Sequence, residues 1–378
     1  MYYYNPKPGD KLETLDTPAM LVNLDLMEAN IQKLVARLKR LNPQLKIRPH
    51  FKTIKSPALA RILLSVDTML TGGCVAKVSE AEVMAGEGVE DLLITTEIVG
   101  ATKIQRLVEL VRNHPQTKVV VDSLAGARGL NAAIVGADLS PLQVLIDVNV
   151  GQNRTGVPPG QPALELAREI ARLPGLRLVG VQGYEGHLQH LHDQSERVER
   201  CQTAMARLVG TAQQLREAGF LIDIVTTGGT GTAEICAAYQ GVTEVQPGSF
   251  IFMDSDYRNA LGPVYANALT VLTTVISRAD ERRAAVIDAG LKSLSIDSGM
   301  PELKSGGQGK VSYRPGGDEH GILEWEAGQD APLLAIGERV EMIPSHIDTT
   351  VNLHDFYYAH RAGVIEAIWP VAARGKVQ

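Results

Sequence analysis

The chain has 378 residues, 44% of them hydrophobic and 21% charged, with a formal net charge of −6. This composition supports a globular core at a length that suits two domains, and its mild acidity gives no attraction for nucleic acid or an anionic membrane. Cys74, Cys201 and Cys236 lie far apart without a CxxC spacing, and the start MYYYNPKPGDKLETLDTP is polar and proline-broken. These features fit buried thiols in a reducing, cytoplasmic setting better than disulfides, a zinc cluster, a signal peptide or a spanning helix.

Short β-branched runs alternate with amphipathic stretches from residue 20 to about 255. The strand candidates are 19–24, 45–50, 67–72, 91–96, 118–123, 142–150, 176–184, 222–229 and 243–250, each bounded by Gly, Pro, Asn or Asp. Most are apolar throughout, as strands buried on both faces of a parallel sheet must be. Between the first two, 26–38 places Ile31, Leu34, Val35 and Leu38 on one helical face. Repeated strand–helix units of this length predict an α/β fold, a (β/α)8 TIM-type barrel. Nine candidates compete for eight places, and 19–24 is the odd one, expected to pair with the C-terminal part of the chain. After residue 258 the helical period fades into strand-like runs separated by turns such as KSGGQGK (304–310) and RPGGDEHG (314–321). The expected division is a barrel over 15–257 and a mostly-β domain over 258–378 together with 1–14.

A TIM-type barrel does its chemistry at the C-terminal ends of its strands, and several strand ends here are polar. RPHFKTIK (48–55) sets Lys52 and Lys55 behind a strand. On a strand His50 would point to the same side as Lys52. DVNVGQNRTG (147–156) ends in Asn153 and Arg154, suited to a carboxylate or phenolic oxygen and equally to a rim salt bridge. QGYEGHLQHLH (182–192) offers Tyr184 and His187 to flank a planar ring or move a proton, with His190 and His192 read as surface residues. TTGGTGT (226–232), followed by a helix, and QPGS (246–249) are small-residue loops after the last strands. There a barrel often holds phosphate, although such loops also serve as plain turns. A phosphate site with a strand-end lysine suggests pyridoxal 5'-phosphate, whose aldehyde needs a lysine amine. In PSHIDTT (344–350), His346 and Asp348 alternate onto one face of an extended segment. A nitrogen–oxygen pair suits Mn²⁺, Mg²⁺ or Co²⁺ better than a soft ion.

Taken in order, RPHFKT, GQNRTG, GYEGH, TTGGTGT, QPGSFIFMD and PSHIDTT resemble the fold-type III pyridoxal-phosphate enzymes, in their D-threonine aldolase and D-serine dehydratase-like branch. The resemblance spans residues 15–360 or so. It implies an alanine-racemase-like barrel and a β-rich second domain, with Lys52 as cofactor anchor, Arg154 near the ring's phenolic oxygen, and Tyr184 and His187 lining the ring. Thr227, Gly229, Thr230, Gly231, Thr232, Gln246, Gly248 and Ser249 would surround the phosphate, and His346 and Asp348 would bind the metal, Mn²⁺ first among hard ions. The implied reaction is lyase cleavage of D-threonine or a related D-3-hydroxy-amino acid to glycine and an aldehyde, with His187 as base and His50 next in line. The implied assembly is a homodimer. The neighbouring activity is dehydration of D-serine or D-3-hydroxyaspartate with loss of ammonia. The dehydratases of the branch look like they hold zinc with His and Cys, whereas this chain has Asp348. Racemisation using Tyr257 (in MDSDY), and a catalytically silent cofactor carrier, are more distant. One departure is Ile54, where many aldolases of the branch carry His.

Overall fold

The computed structural model describes residues 4–304, 311–327 and 334–378. Two compact units divide the chain. One contains Gln32–Lys52, Ser56–Gly248 and the tail Gly375–Gln378. Its eight strands form one parallel sheet, in the order Lys46–Ile47, Glu244–Val245, Ile224–Thr227, Leu176–Gln182, Leu142–Asp147, Lys118–Val121, Leu92–Ile94 and Gly73–Val75. Single parallel bridges, Ile47 to Leu70 and His50 to Cys74, join the two ends, so the sheet curls into the expected TIM-type barrel.

The strands hold their places because both faces are apolar. Ile94, Val119, Ile146 and Val181 are fully buried, and burying such a side chain is worth about 1.5–3 kcal/mol. The helices cover the sheet with one stripe each: Gln161–Ile170 buries Ala163, Leu166, Ala167 and Ile170, spaced by three, one and three residues. Ser123 and Asp193 cap the helices Leu124–Gly136 and Gln194–Glu217 by accepting from the amides of Gly126 and Glu196.

The strand expected at 67–72 is displaced. Only Leu70 bridges there, and the strand proper is Gly73–Val75. Gly72–Gly73 reads as a terminator, but a Cβ on Gly73 would lie 1.9 Å from the Phe51 ring. The missing side chain makes room for that ring, so the glycine opens the strand rather than ending it.

An ionic cluster is buried in the same unit. Arg48, 3% exposed, meets Glu244 at 2.9 Å and Asp91 at 3.1 Å, and Lys118 pairs with the same Asp91. Asp91, Lys118 and Glu244 lie where their strands begin, away from the strand ends that carry chemistry. Removing one member strands its partners in a dry environment, so Arg48→Ala should lower unfolding stability by ~3–5 kcal/mol. Denaturant unfolding of the two proteins checks this; an unchanged midpoint would mean that the cluster is solvated.

The second unit comprises the N-terminal stretch through Ile31, Thr53–Lys55 and Ser249–Arg374. Among the described residues its sheet has nine strands and is mostly antiparallel. As expected, the odd strand, Ala19–Asn23, belongs here: it runs antiparallel to Leu269–Ala279 and parallel to Phe356–Arg361. That pairing takes more of the N-terminal chain into this unit than residues 1–14. Val271, Val275, Ile287, Leu323 and Met342 form its core with Tyr313. Residues 316–320 make the turn between Val311–Pro315 and Gly321–Trp325, closed by the Gly316 amide on the His320 carbonyl at 2.8 Å. The turn expected at 304–310 lies, apart from Lys304, outside the described residues. Among the described residues no helix is long and apolar enough to cross a membrane.

Candidate active site

In the barrel unit the residues after the first strand do not continue it. Lys46–Ile47 is short, His50 makes one bridge, and residues 51–54 form a turn. The alternation expected of His50 and Lys52 therefore does not apply. Instead the Lys52 amide donates to His50 Nδ1 at 3.4 Å, while His50 Nε2 lies 3.2 Å from Thr95 Oγ1. Both contacts suit a neutral ring protonated on Nε2. Lys52 is half-buried. Lys55 is more deeply buried, has a left-handed φ of 45°, and its carbonyl accepts from the Ala373 amide at 3.0 Å within the β unit. The two lysines thus lie in different units, Lys52 with the barrel.

The loop after Leu142–Asp147 is tied by Asn149, whose Oδ1 accepts from the amides of Gly151 and Asn153 at 3.0 and 3.2 Å. It leaves Arg154 exposed, with its guanidinium 5.7 Å from the centre of the Tyr184 ring. His187 lies on the turn Gly186–Leu188 and is exposed. A Cβ on Gly151 would lie 3.4 Å from its ring. Partial burial and the cations Arg200 and Arg207 lower its pKa below the usual histidine value, so the imidazole is neutral at physiological pH. His192 is exposed as expected, but His190 is half-buried.

The residue that organises the last loops is Glu185, which sequence reading passed over. It is fully buried. Oε2 accepts from Thr227 Oγ1 at 2.9 Å and the Gly228 amide at 3.4 Å; Oε1 accepts from Thr232 Oγ1 at 2.5 Å and Gln189 Nε2 at 3.3 Å. The Gly229 amide turns to Thr232 Oγ1, and the Gly231 amide to Gln189 Oε1. Three amides of the glycine-rich segment therefore shape the loop, with Thr230 between them. A Cβ on Gly229 or Gly231 would lie 2.5 or 2.3 Å from Gln189 atoms, so the glycines answer a close approach inside the protein. Glu185→Ala leaves several buried donors unsatisfied and should cost ~3–5 kcal/mol. Its chemical-denaturation curve, beside that of Glu185→Gln with a smaller loss, checks this. Gln246 Nε2 bonds Thr226 Oγ1 and Gln182 Oε1 at 2.9 and 3.2 Å, and Gln182 Nε2 reaches Asp147 at 3.1 Å. Gly248 belongs to the barrel unit and Ser249, buried, to the β unit. Glu97, beyond the Leu92–Ile94 strand, is pushed up to about 7 by burial and by Asp147 and Asp122.

In the β unit PSHIDTT is not extended. His346 is the N-cap of the helix Ile347–Val351, and Asp348 lies in its first turn. His346 and Asp348 thus both stand at this helix start; burial lowers the His346 pKa, and Asp348 and Asp297 outweigh it to leave a net rise. Two further carboxyls bond this helix start. Asp254, fully buried, accepts from the amides of Ile347 at 3.1 Å and Tyr257 at 2.9 Å, and burial pushes its pKa up to about 7. Asp297 Oδ2 lies 2.7 Å from His346 Nδ1. Despite partial burial, Ser295, His346 and Thr349 hold its pKa down to about 2. Asp254 is legible as a cap in MDSDY; Asp297, 49 residues before His346, has no spacing signal. Tyr257 is buried on the helix Ser255–Leu261.

Comparison with known proteins agrees with this layout. The model of the alanine racemase N-terminal domain matches residues 22–256, and that of a putative serine dehydratase domain matches residues 268–360. A D-threonine aldolase from Arthrobacter sp is 39% identical over 372 residues, 98% of this chain and 95% of its own. A 3-hydroxy-D-aspartate aldolase from Paracoccus denitrificans (strain Pd 1222) is 34% identical over 98% of this chain and 95% of its own. The crystal structure of D-threonine aldolase from Filomicrobium marinum superposes with a TM-score of 0.92 at 38% identity, covering 99% of this chain and 100% of that one. The chain belongs to the fold-type III pyridoxal-phosphate enzymes, in the branch of D-threonine aldolases and D-serine dehydratase-like lyases.

Proposed function

We propose that this protein is a metal-assisted D-threonine aldolase-like lyase, splitting a D-3-hydroxy-amino acid such as D-threonine or D-3-hydroxyaspartate into glycine and an aldehyde. The observation that carries the reading is the donor set in the β unit. His346 and Asp348 offer nitrogen and oxygen and no thiolate, which favours a hard ion and, in our assignment, Mn²⁺ over Mg²⁺ or Co²⁺. The barrel residues fit pyridoxal phosphate by their chemistry. They offer an amine after the first strand, a cation stacked on Tyr184, and small-residue loops after the last two strands.

When bound, pyridoxal phosphate supplies an electron-accepting ring and the metal a Lewis acid for the β-hydroxyl. Lys52 would anchor the cofactor through its amine. Arg154 would meet the phenolic oxygen and Tyr184 would pack on the ring. Thr230, on the loop held by Glu185, and Gln246 and Gly248 on the next loop would hold the phosphate, and Ser249 is assigned to it as well. His187 receives the β-hydroxyl proton through its neutral imidazole. His187→Ala should lower kcat by ~10²–10⁴-fold with the cofactor retained. Because its pKa lies below the usual ~6.5, the imidazole stays able to accept a proton as the medium acidifies. The acid limb of kcat/KM should therefore fall below that value and vanish in His187→Ala. Full activity in that variant would pass the role to His50.

Side-by-side assays with D- and L-threonine test the assignment: turnover of the D isomer alone is expected, and equal turnover of both would contradict it. Dehydration is the second reading, favoured by the serine dehydratase domain match and disfavoured by a carboxylate at 348. We further assign a homodimer, checked by sedimentation. The cytoplasmic assignment rests on three free, buried thiols.

A further inference from the structure

We infer that Asp297 is the positioning residue of the metal centre: it holds the His346 ring by Nδ1 and so presents Nε2 to a divalent cation. The inference rests on reading His346 and Asp348 as metal ligands. His346 occupies an N-cap, where Ser, Thr, Asp or Asn would ordinarily bond the first amides of the helix. Its side chain makes no such bond. The Ile347 amide is instead taken by Asp254 Oδ2 at 3.1 Å. Relieved of capping, the imidazole turns onto Asp297, with Nδ1 and Oδ2 2.7 Å apart.

Asp297 is itself clamped. Oδ1 accepts from Ser295 Oγ at 2.6 Å and Thr349 Oγ1 at 2.8 Å, and Ser298 Oγ lies 3.4 Å from Oδ2. These hydroxyls fix the carboxyl plane and leave the ring nitrogens to Asp297 and to an ion. A surface ion pair would account for the 2.7 Å contact alone. It would not account for a side chain held by neighbouring hydroxyls, nor for a cap whose side chain has been withdrawn from capping. A carboxyl on the far nitrogen fixes the tautomer of a ligating imidazole and strengthens it as a donor. Losing such a partner typically costs 10–100-fold in metal affinity.

The test is Mn²⁺ binding to the pyridoxal-phosphate-loaded, metal-stripped protein, read from the electron paramagnetic resonance signal of free Mn²⁺. Asp297→Ala should raise Kd by ~10–100-fold, and Asp297→Asn, which keeps an acceptor without the charge, should fall between it and the parent. Cofactor absorbance and unfolding midpoint should hold in Asp297→Asn. His346→Ala should remove tight binding. If it does while Asp297→Ala binds like the parent, the positioning role is overturned and the ligand assignment stands. If His346→Ala binds Mn²⁺ like the parent, both fall. An Asp297→Asn protein that loses affinity only in proportion to lost folding or cofactor content would make Asp297 structural and overturn the inference.

Discussion

Lys52→Ala is expected to abolish turnover, with kcat reduced on the order of 10³-fold or more, as when the covalent group of other enzymes is removed. The Schiff-base absorbance should go with it. The expectation follows from where the two lysines fall. Lys52 is half-buried in the barrel unit at the turn after the first strand, among the strand ends that carry Arg154, Tyr184 and the glycine-rich loop. Lys55 has a left-handed backbone and is packed within the β unit, where its carbonyl anchors Ala373. Lys55→Ala should consequently act on stability and leave the absorbance in place. Borohydride reduction followed by peptide mapping separates the two. A label on Lys55, or an active Lys52→Ala enzyme, would overturn the anchor assignment.

Removing the metal should have the next largest effect. Chelation, or His346→Ala, is expected to lower kcat by ~10²–10³-fold, since a Lewis acid on a developing alkoxide is worth several kcal/mol. Added Mn²⁺ should restore the chelated protein and not the variant. Asp348→Cys is the informative swap. A thiolate beside the imidazole favours zinc over Mn²⁺, so the variant should retain zinc through dialysis that strips the parent. Equal retention by parent and variant would show that residue 348 does not set metal preference.

How much of this was legible depended on whether the signal was local. The barrel follows from runs such as KVVV and LQVLID, which no half-exposed strand could carry, and the helix at 26–38 from four apolar residues on one face. The strand at Gly73–Val75 was misplaced because glycine is ambiguous: it ends a strand or makes room for a ring, and only Phe51 decides. PSHIDTT misled on local structure: the helix after His346 is five residues long and its start is secured by Asp254, 93 residues earlier. Glu185 stood inside a motif already singled out, but its partners on Thr227, Gly228 and Thr232 are created by packing. Asp297 is part of an ordinary Ser-Ile-Asp-Ser stretch in sequence, and nothing local links it to His346.

The proposed activity is carbon–carbon cleavage that depends on both pyridoxal phosphate and a hard metal. The measurement that tests it most directly is product identification from D-threonine with the cofactor-loaded protein, before and after chelation. The expected products are glycine and acetaldehyde in equal amounts, lost on chelation and restored by Mn²⁺. Ammonia with 2-oxobutanoate would contradict it, and would mean that a carboxylate at position 348 does not separate aldolases from dehydratases.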